Sequence, residues 1–226
     1  MSVTFAQGFS AAGVAAGISA VEGKKDLALV VNNGPLDAAA GVFTSNRFCA
    51  APVQWSRNIV SDGHVKAVIL NSGGANACTG EAGYAQSVAT AETVAGLIGA
   101  EPNDVAVCST GLIGELLPLD KLDIAPFETG VPALHGIIGE TTGNSAARAI
   151  MTTDTKPKTV ELEGSNGFRI GGMVKGSGMI APPLATMLCV ITTDAVVSAG
   201  QMQAALAVAA EHSFNRIDVD GCMSTN

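Results

Sequence analysis

The 226 residues are 47% hydrophobic, 14% charged and 4% aromatic and include 27 glycines, which is enough chain to bury a core and too apolar for disorder. Twelve basic against twenty acidic residues leave a net charge of −8 with no basic cluster. That excludes nucleic acid or an anionic membrane surface as an expected partner and favours a small ligand. Apolar runs are only a few residues long, and the first seven residues carry no Lys or Arg, so neither a transmembrane helix nor a signal peptide is expected.

In chain order, short apolar runs predict strands over residues 27–31, 41–43, 65–70, 105–107, 159–162 and 187–191. Between them, Tyr84, Val88, Ala91 and Ala95 fall on one face of a helix, as do Met202, Leu206 and Ala209 after a Ser198 cap. The alternation predicts a mixed α/β fold. Lys156-Pro157-Lys158 and residues 164–167 mark turns, and without a linker or repeat the chain reads as one continuous domain. Its last stretch, from Ile217, opens as an alternating strand, reaches a turn-like sequence and stops, so a fragment is expected.

Five cysteines (Cys49, Cys78, Cys108, Cys189, Cys222) are odd in number and lack C-x-x-C spacing, which suits a reducing cytoplasm better than a secreted disulfide framework. Three scattered histidines (His64, His135, His212) offer little for a zinc site or a Ser-His-Asp triad. Glycine concentrates over residues 71–80, 108–114 and 171–181. The first two places are expected at strand-to-helix turns, where backbone N–H groups can face an anion. The third contains Gly176-x-Gly178-x-x-Ala181, but Pro182-Pro183 follow at once and bar the helix that a dinucleotide fingerprint must open. Beyond the prolines, Thr186 stands between a constrained loop and an apolar strand. A threonine freed at its amino end carries its own base, an α-amine of pKa about 7.7 to 8, although threonine at a strand start also has an ordinary structural use.

Taken in order, I-L-N-S-G-G-A-N-A-C-T-G (residues 69–80), C-S-T-G-L-I-G (108–114), M-T-T-D (151–154), K-G-S-G-M-I-A-P (175–182) and L-A-T-M-L (184–188) resemble the ornithine acetyltransferase family of arginine biosynthesis, also called glutamate N-acetyltransferase. The resemblance runs from Gly8 to Asn226. It implies a layered sheet-and-helix fold with an N-terminal threonine nucleophile, made by self-cleavage between Ala185 and Thr186. Residues 1–185 would then be an α-chain equivalent, and 186–226 the start of an incomplete β chain.

The resemblance implies further that the Thr186 hydroxyl attacks the acetyl carbonyl of N2-acetyl-L-ornithine, its α-amine taking the proton, before L-glutamate resolves the acetyl-enzyme in a ping-pong sequence. Thr110 and Gly111 map to the oxyanion hole, and Thr152, Lys175 and Thr186 to substrate contacts. No metal or resident cofactor is implied, acetyl-CoA is an optional second donor, and the expected partner is the protein's own cleaved second chain in an oligomer of α and β chains. Without the family, Lys175 reads equally well as a solvated lysine, Cys78 as a packed or turn cysteine, and Asp154 as an Asx-type support of the Thr152-Thr153 turn. Family members continue with a second half that supplies a substrate-site glutamate, and Cys222-Met223 stand where an acidic or small polar residue is usual before Ser224-Thr225-Asn226. The 226 residues alone are therefore expected to lack transferase activity. Two other readings stay open: an N-terminal-nucleophile amidohydrolase or aminopeptidase resolved by water, and a fragment that only binds amino-acid metabolites.

Overall fold

A computed structural model describes residues 2–119, 142–182 and 187–226. Leu27–Asn32 is apolar at every position but the last, and the strand it forms, β2, is buried on both faces. It lies inside a four-stranded sheet of order β1-β2-β3-β4, with β1 at Phe9–Val14, β3 at Ala67–Gly74 and β4 at Val105–Leu112. The β1–β2 and β2–β3 pairings are antiparallel, whereas β3 and β4 run parallel. A parallel pair needs a crossover, and α2 (Gly80–Ile98) lies in it. One sheet face packs Leu27, Leu29, Ile69, Val105 and Val107 against Trp55 and Ile59 of α1 (Ala51–Ile59) and Ala91, Val94 and Ala95 of α2.

β4 is a sheet edge, and α1 covers it. Trp55 Nε1 donates to the Val105 carbonyl at 3.0 Å. The Ser56 hydroxyl donates to the Val107 carbonyl at 2.6 Å and accepts from the Val107 N–H at 2.9 Å. Side chains thus satisfy backbone groups that an open edge leaves unpaired.

The opposite sheet face meets α3 (Thr142–Ala149) and a second, antiparallel sheet of order β5-β6-β7, formed by Lys158–Glu163, Arg169–Lys175 and Leu188–Thr193. Ala28, Val30 and Leu70, the α3 alanines with Ile150, and Met173 and Leu188 of the second sheet share this core. Gly171 is required there: a Cβ would come within 2.2 Å of the Ser2 carbonyl oxygen. The other side of the second sheet leaves Val160, Leu162 and Ile191 exposed.

Several expectations are corrected. Residues 41–43 form no strand, because Gly41 exchanges hydrogen bonds with the Gln203 side chain instead of a neighbouring strand. Residues 217–219 form none either; the Val219 N–H goes to the Ile180 carbonyl at 2.8 Å, and a turn closed by Asp218 and Gly221 follows. Residues 108–112, expected as a strand-to-helix turn, are the continuation of β4, and bends follow Leu112. Asn71–Gly74 likewise belongs to β3, while buried Asn76 turns the chain into α2 by donating to the Gly83 carbonyl and the Ser87 hydroxyl. The helix after Ser198, α4 (Ala199–Glu211), forms with the Ser198/Gln201 capping box, yet Met202 and Leu206 are half-buried and Ala209 is exposed. Periodicity does not announce β1, α1 or α3. Ser-Ala-Ala-Gly is a poor strand signal, and the Gly, Asn and Ser of α3 are poor helix formers, so for β1 and α3 the alanines packed across the second core supply the reason to fold.

Among the described residues no helix is long and apolar enough to cross a membrane, and no cluster of three His, Cys, Asp or Glu side chains could hold a metal ion. His64 pairs with Asp37 at 2.8 Å on the surface. His135 lies outside the described residues.

Candidate active site

Three segments converge where β4 and β6 end. The first is Thr110 and Gly111. Burial along β4 stops at this point: Ser109 and Thr110 are buried, Thr110 at 3% exposed, whereas Gly111 and Leu112 are exposed. Gly111 has φ +134°, and a Cβ there would sit 2.4 Å from the Gly73 carbonyl carbon, so only glycine fits beside the register shift between β3 and β4. The carbonyls of Val105, Val107 and Ser109 along the free edge are taken by Trp55, Ser56 and Asn226, and the same alternation continued one step reaches Gly111. The Ser109 hydroxyl is buried with no partner among the described residues.

The second segment is Lys175, the last residue of β6. The residue is buried, 3% exposed, and Nζ donates to Thr110 Oγ1 at 3.0 Å. Burial pushes the amine down from its ordinary range, with Asp154 opposing that shift and the charges of Lys158 and Lys24 adding to it. Thr152 reaches this place through Asp154. That carboxylate accepts from the Thr152 N–H at 3.4 Å, from the Gly176 N–H at 2.9 Å and from the Lys158 ammonium. Burial alone would raise the Asp154 pKa, but these donors outweigh it and hold the carboxyl below its usual value. Asp154 therefore ties the Thr152 turn to the chain just after Lys175, a longer-range task than the local Asx turn expected of it.

The third segment, residues 217–226, is one that sequence reasoning misses as part of the site. The Asp220 carboxylate accepts from the N–H groups of Met179 and Ile180 at 2.7 and 3.0 Å, fixing the K-G-S-G-M-I-A loop. Asn226 Nδ2 donates to the carbonyls of Ala75 and Ser109 at 2.7 and 2.8 Å, clamping β4 one residue before Thr110. Asp220-Gly221 is an ordinary turn signal; nothing local marks Asn226 as a clamp. The glycine loop opens no helix through Pro182.

Thr186 and Ala185 lie outside the described residues, so the expected nucleophile and cleavage point are not placed. Leu188, which stands two positions after Thr186 in the sequence, is paired with Lys175 across β6 and β7. Cys78 is exposed in the turn before α2 at φ +59°. Cys108 cannot serve as a ready thiolate, since burial pushes its thiol up to about 12. A cleft of about 420 Å³ lined by Cys49, Gln54, Cys78, Glu81 and Tyr84 shares no residue with these three segments.

Two packed sheets, flanking helices and this strand-end site define a mixed α/β protein with a candidate active site between its layers. The ArgJ family model matches residues 10–226, and the chain belongs to that family. It is 86% identical over 228 residues to the arginine biosynthesis bifunctional protein ArgJ of Bifidobacterium longum, covering 100% of this chain and 57% of that protein. It is 56% identical to the Mycobacterium leprae protein of the same name, covering 99% of this chain and 55% of that one. The chain thus spans a little over half the length of these curated relatives. Among solved structures, ornithine acetyltransferase of Mycobacterium tuberculosis complexed with ornithine superimposes with a TM-score of 0.72 at 53% identity, over 80% of this chain and 94% of that one. The ArgJ protein of Bacillus halodurans matches with a TM-score of 0.60 at 28% identity, over 87% of this chain and 91% of that one.

Proposed function

We propose that the protein of which this sequence is the matching part is an acetyltransferase that moves the acetyl group of N2-acetyl-L-ornithine to L-glutamate through a threonine acyl-enzyme. The observation that carries this is the buried contact of Lys175 with Thr110 beside glycine-only Gly111, at positions that also match the family's segments. In this reading the chain cuts itself between Ala185 and Thr186. The Thr186 hydroxyl then attacks the acetyl carbonyl, its α-amine accepts the proton, and ornithine leaves; the glutamate amine attacks the resulting ester and regenerates the threonine. Thr110 O–H and the Gly111 backbone hold the oxyanion of both tetrahedral intermediates, a role that suits groups fixed in place before substrate arrives. Thr152, Lys175 and Thr186 line the substrate.

One fact supports the two-chain form. The solved mycobacterial chain is matched over 94% of its length by only 80% of this one, so it is the shorter chain, although curated relatives are much longer than either. The ornithine in that relative's complex is the kind of ligand expected here. Acetyl-CoA as a second donor, a cytoplasmic location and an oligomer of the two cleaved chains complete the proposal.

The test uses protein carried to the full length of its relatives. Intact mass and N-terminal sequencing should find two chains, the second starting at Thr186, and Thr186→Ala should leave one uncut, inactive chain. A single chain starting at Met1 or Ser2 would sink the cleavage step. Thr110→Ala should lower kcat by roughly 10²- to 10³-fold with little change in KM, whereas an effect confined to KM would remove the oxyanion role.

A further inference from the structure

We infer that Lys175 is a positioning residue that sets the direction of the Thr110 hydroxyl hydrogen, holding Thr110 as a donor toward the reacting oxygen. The inference deepens the reading above and rests on it, since it takes Thr110 as the oxyanion donor. A hydroxyl has one hydrogen and two lone pairs, so on its own it can point its hydrogen at any nearby acceptor. A lysine ammonium has three hydrogens and no lone pair. With Nζ 3.0 Å from Thr110 Oγ1, Thr110 has to be the acceptor in that bond, and its single hydrogen is left for a different partner.

Both residues are buried, each 3% exposed, so bulk water has little access to either one. In such surroundings a charge-assisted bond is about twice as strong as a neutral one, and it polarises the hydroxyl that accepts it. Thr110 is thereby a better donor to a forming oxyanion than a lone threonine would be. The backbone at the foot of Lys175 is held: Asp154 accepts from Gly176 N–H at 2.9 Å and is itself fixed by Lys158, which also donates to the Gly176 carbonyl at 2.9 Å. The contact itself lies wholly between β4 and β6.

Loss of the Lys175 proton reverses the polarity. A neutral amine has a lone pair that can accept the Thr110 O–H and turn it away from the substrate. The charged groups acting on Lys175 are Asp154, which favours the ammonium, and Lys158 and Lys24, which disfavour it; burial adds to the latter. Cys108, two residues before Thr110 on β4, stays a neutral thiol. Turnover should therefore fall on the alkaline side as Lys175 deprotonates, in the opposite sense to the α-amine base, which becomes active as pH rises.

The experiment is a double-mutant cycle read as kcat and KM on the full-length protein, with Lys175→Met, Thr110→Ala and the pair. Lys175→Met should lower kcat about 10- to 100-fold in the unmodified background and less than about threefold in the Thr110→Ala background, because without the hydroxyl there is nothing left to orient. Equal losses in both backgrounds, or a loss confined to KM, would overturn the inference and leave Lys175 with its substrate contact alone. A second readout needs no change at Lys175: the alkaline limb of kcat should be present in the unmodified protein and absent from Thr110→Ala, and its persistence there would also overturn it. If Thr110→Ala leaves kcat unchanged, it is the oxyanion assignment that fails.

Discussion

Strands β2 and β7 have similar strings, L-A-L-V-V-N and L-C-V-I-T-T, and opposite surroundings. β2 has a hydrogen-bonded neighbour on each side, helices α1 and α2 over one face, and α3 with the second sheet over the other, so its first five residues are all buried. β7 is an edge of a three-stranded sheet; Leu188 and Thr192 face the core, while Cys189 and Ile191 face out. Hydropathy thus marks both as strands, but the layers around each one set what it is worth to the fold. The candidate active site lies where the two environments meet, at the ends of β4 and β6.

The contrast can be broken by truncating each region and measuring urea denaturation. Leu29→Ala, at a fully buried β2 position, should cost about 2 to 5 kcal/mol through lost burial and an unfilled cavity. A cost below about 1 kcal/mol would mean that β2 is not the doubly covered strand described here. Gly171→Ala should cost about 1 to 3 kcal/mol, because the added methyl collides with the Ser2 carbonyl on the one covered face of the second sheet. If it were neutral, the N-terminal segment would not pack there.

A smaller effect is expected from acid. The folded-state pKa of Asp154 is depressed, so its ionised bonds to Lys158, Gly176 and Thr152 add stability above the ordinary carboxylate range, and that contribution disappears as pH falls through the folded value. The stability gap between the unmodified protein and Asp154→Asn should therefore narrow as pH falls through and below the ordinary carboxylate range, as followed by thermal melts at stepped pH; a constant gap would mean that the charge does not matter. The smallest effect belongs to Ile191→Thr on the exposed face of β7, within about 0.5 kcal/mol. A cost as large as that of Leu29→Ala would show that this face is covered in solution.

Much is legible along the chain because it depends on near neighbours. The apolar runs at 27–31, 65–70 and 105–107 become β2, β3 and β4; the period of Tyr84, Val88, Ala91 and Ala95 becomes α2; the Ser198 cap becomes the start of α4; and the glycine loop opens no helix through Pro182, as expected of a loop that runs into Pro182-Pro183. Those outcomes follow from steric limits and periodicity within a few residues. The family segments likewise single out Thr110, Gly111, Thr152 and Lys175 as candidates from the sequence alone.

What only the tertiary structure decided is which polar group meets which. Lys175 could equally have been solvated; it is buried on Thr110, 65 positions away in sequence, because the two sheets pack on each other and its long side chain reaches across to β4. Asn226 takes the Ser109 carbonyl across 117 positions and Asp220 takes the loop N–H groups across 40 or 41, contacts for which nothing in the local sequence speaks. The physical reason is that a hydrogen bond between distant groups gains its value from the water excluded around it, and exclusion is a property of the packed layers.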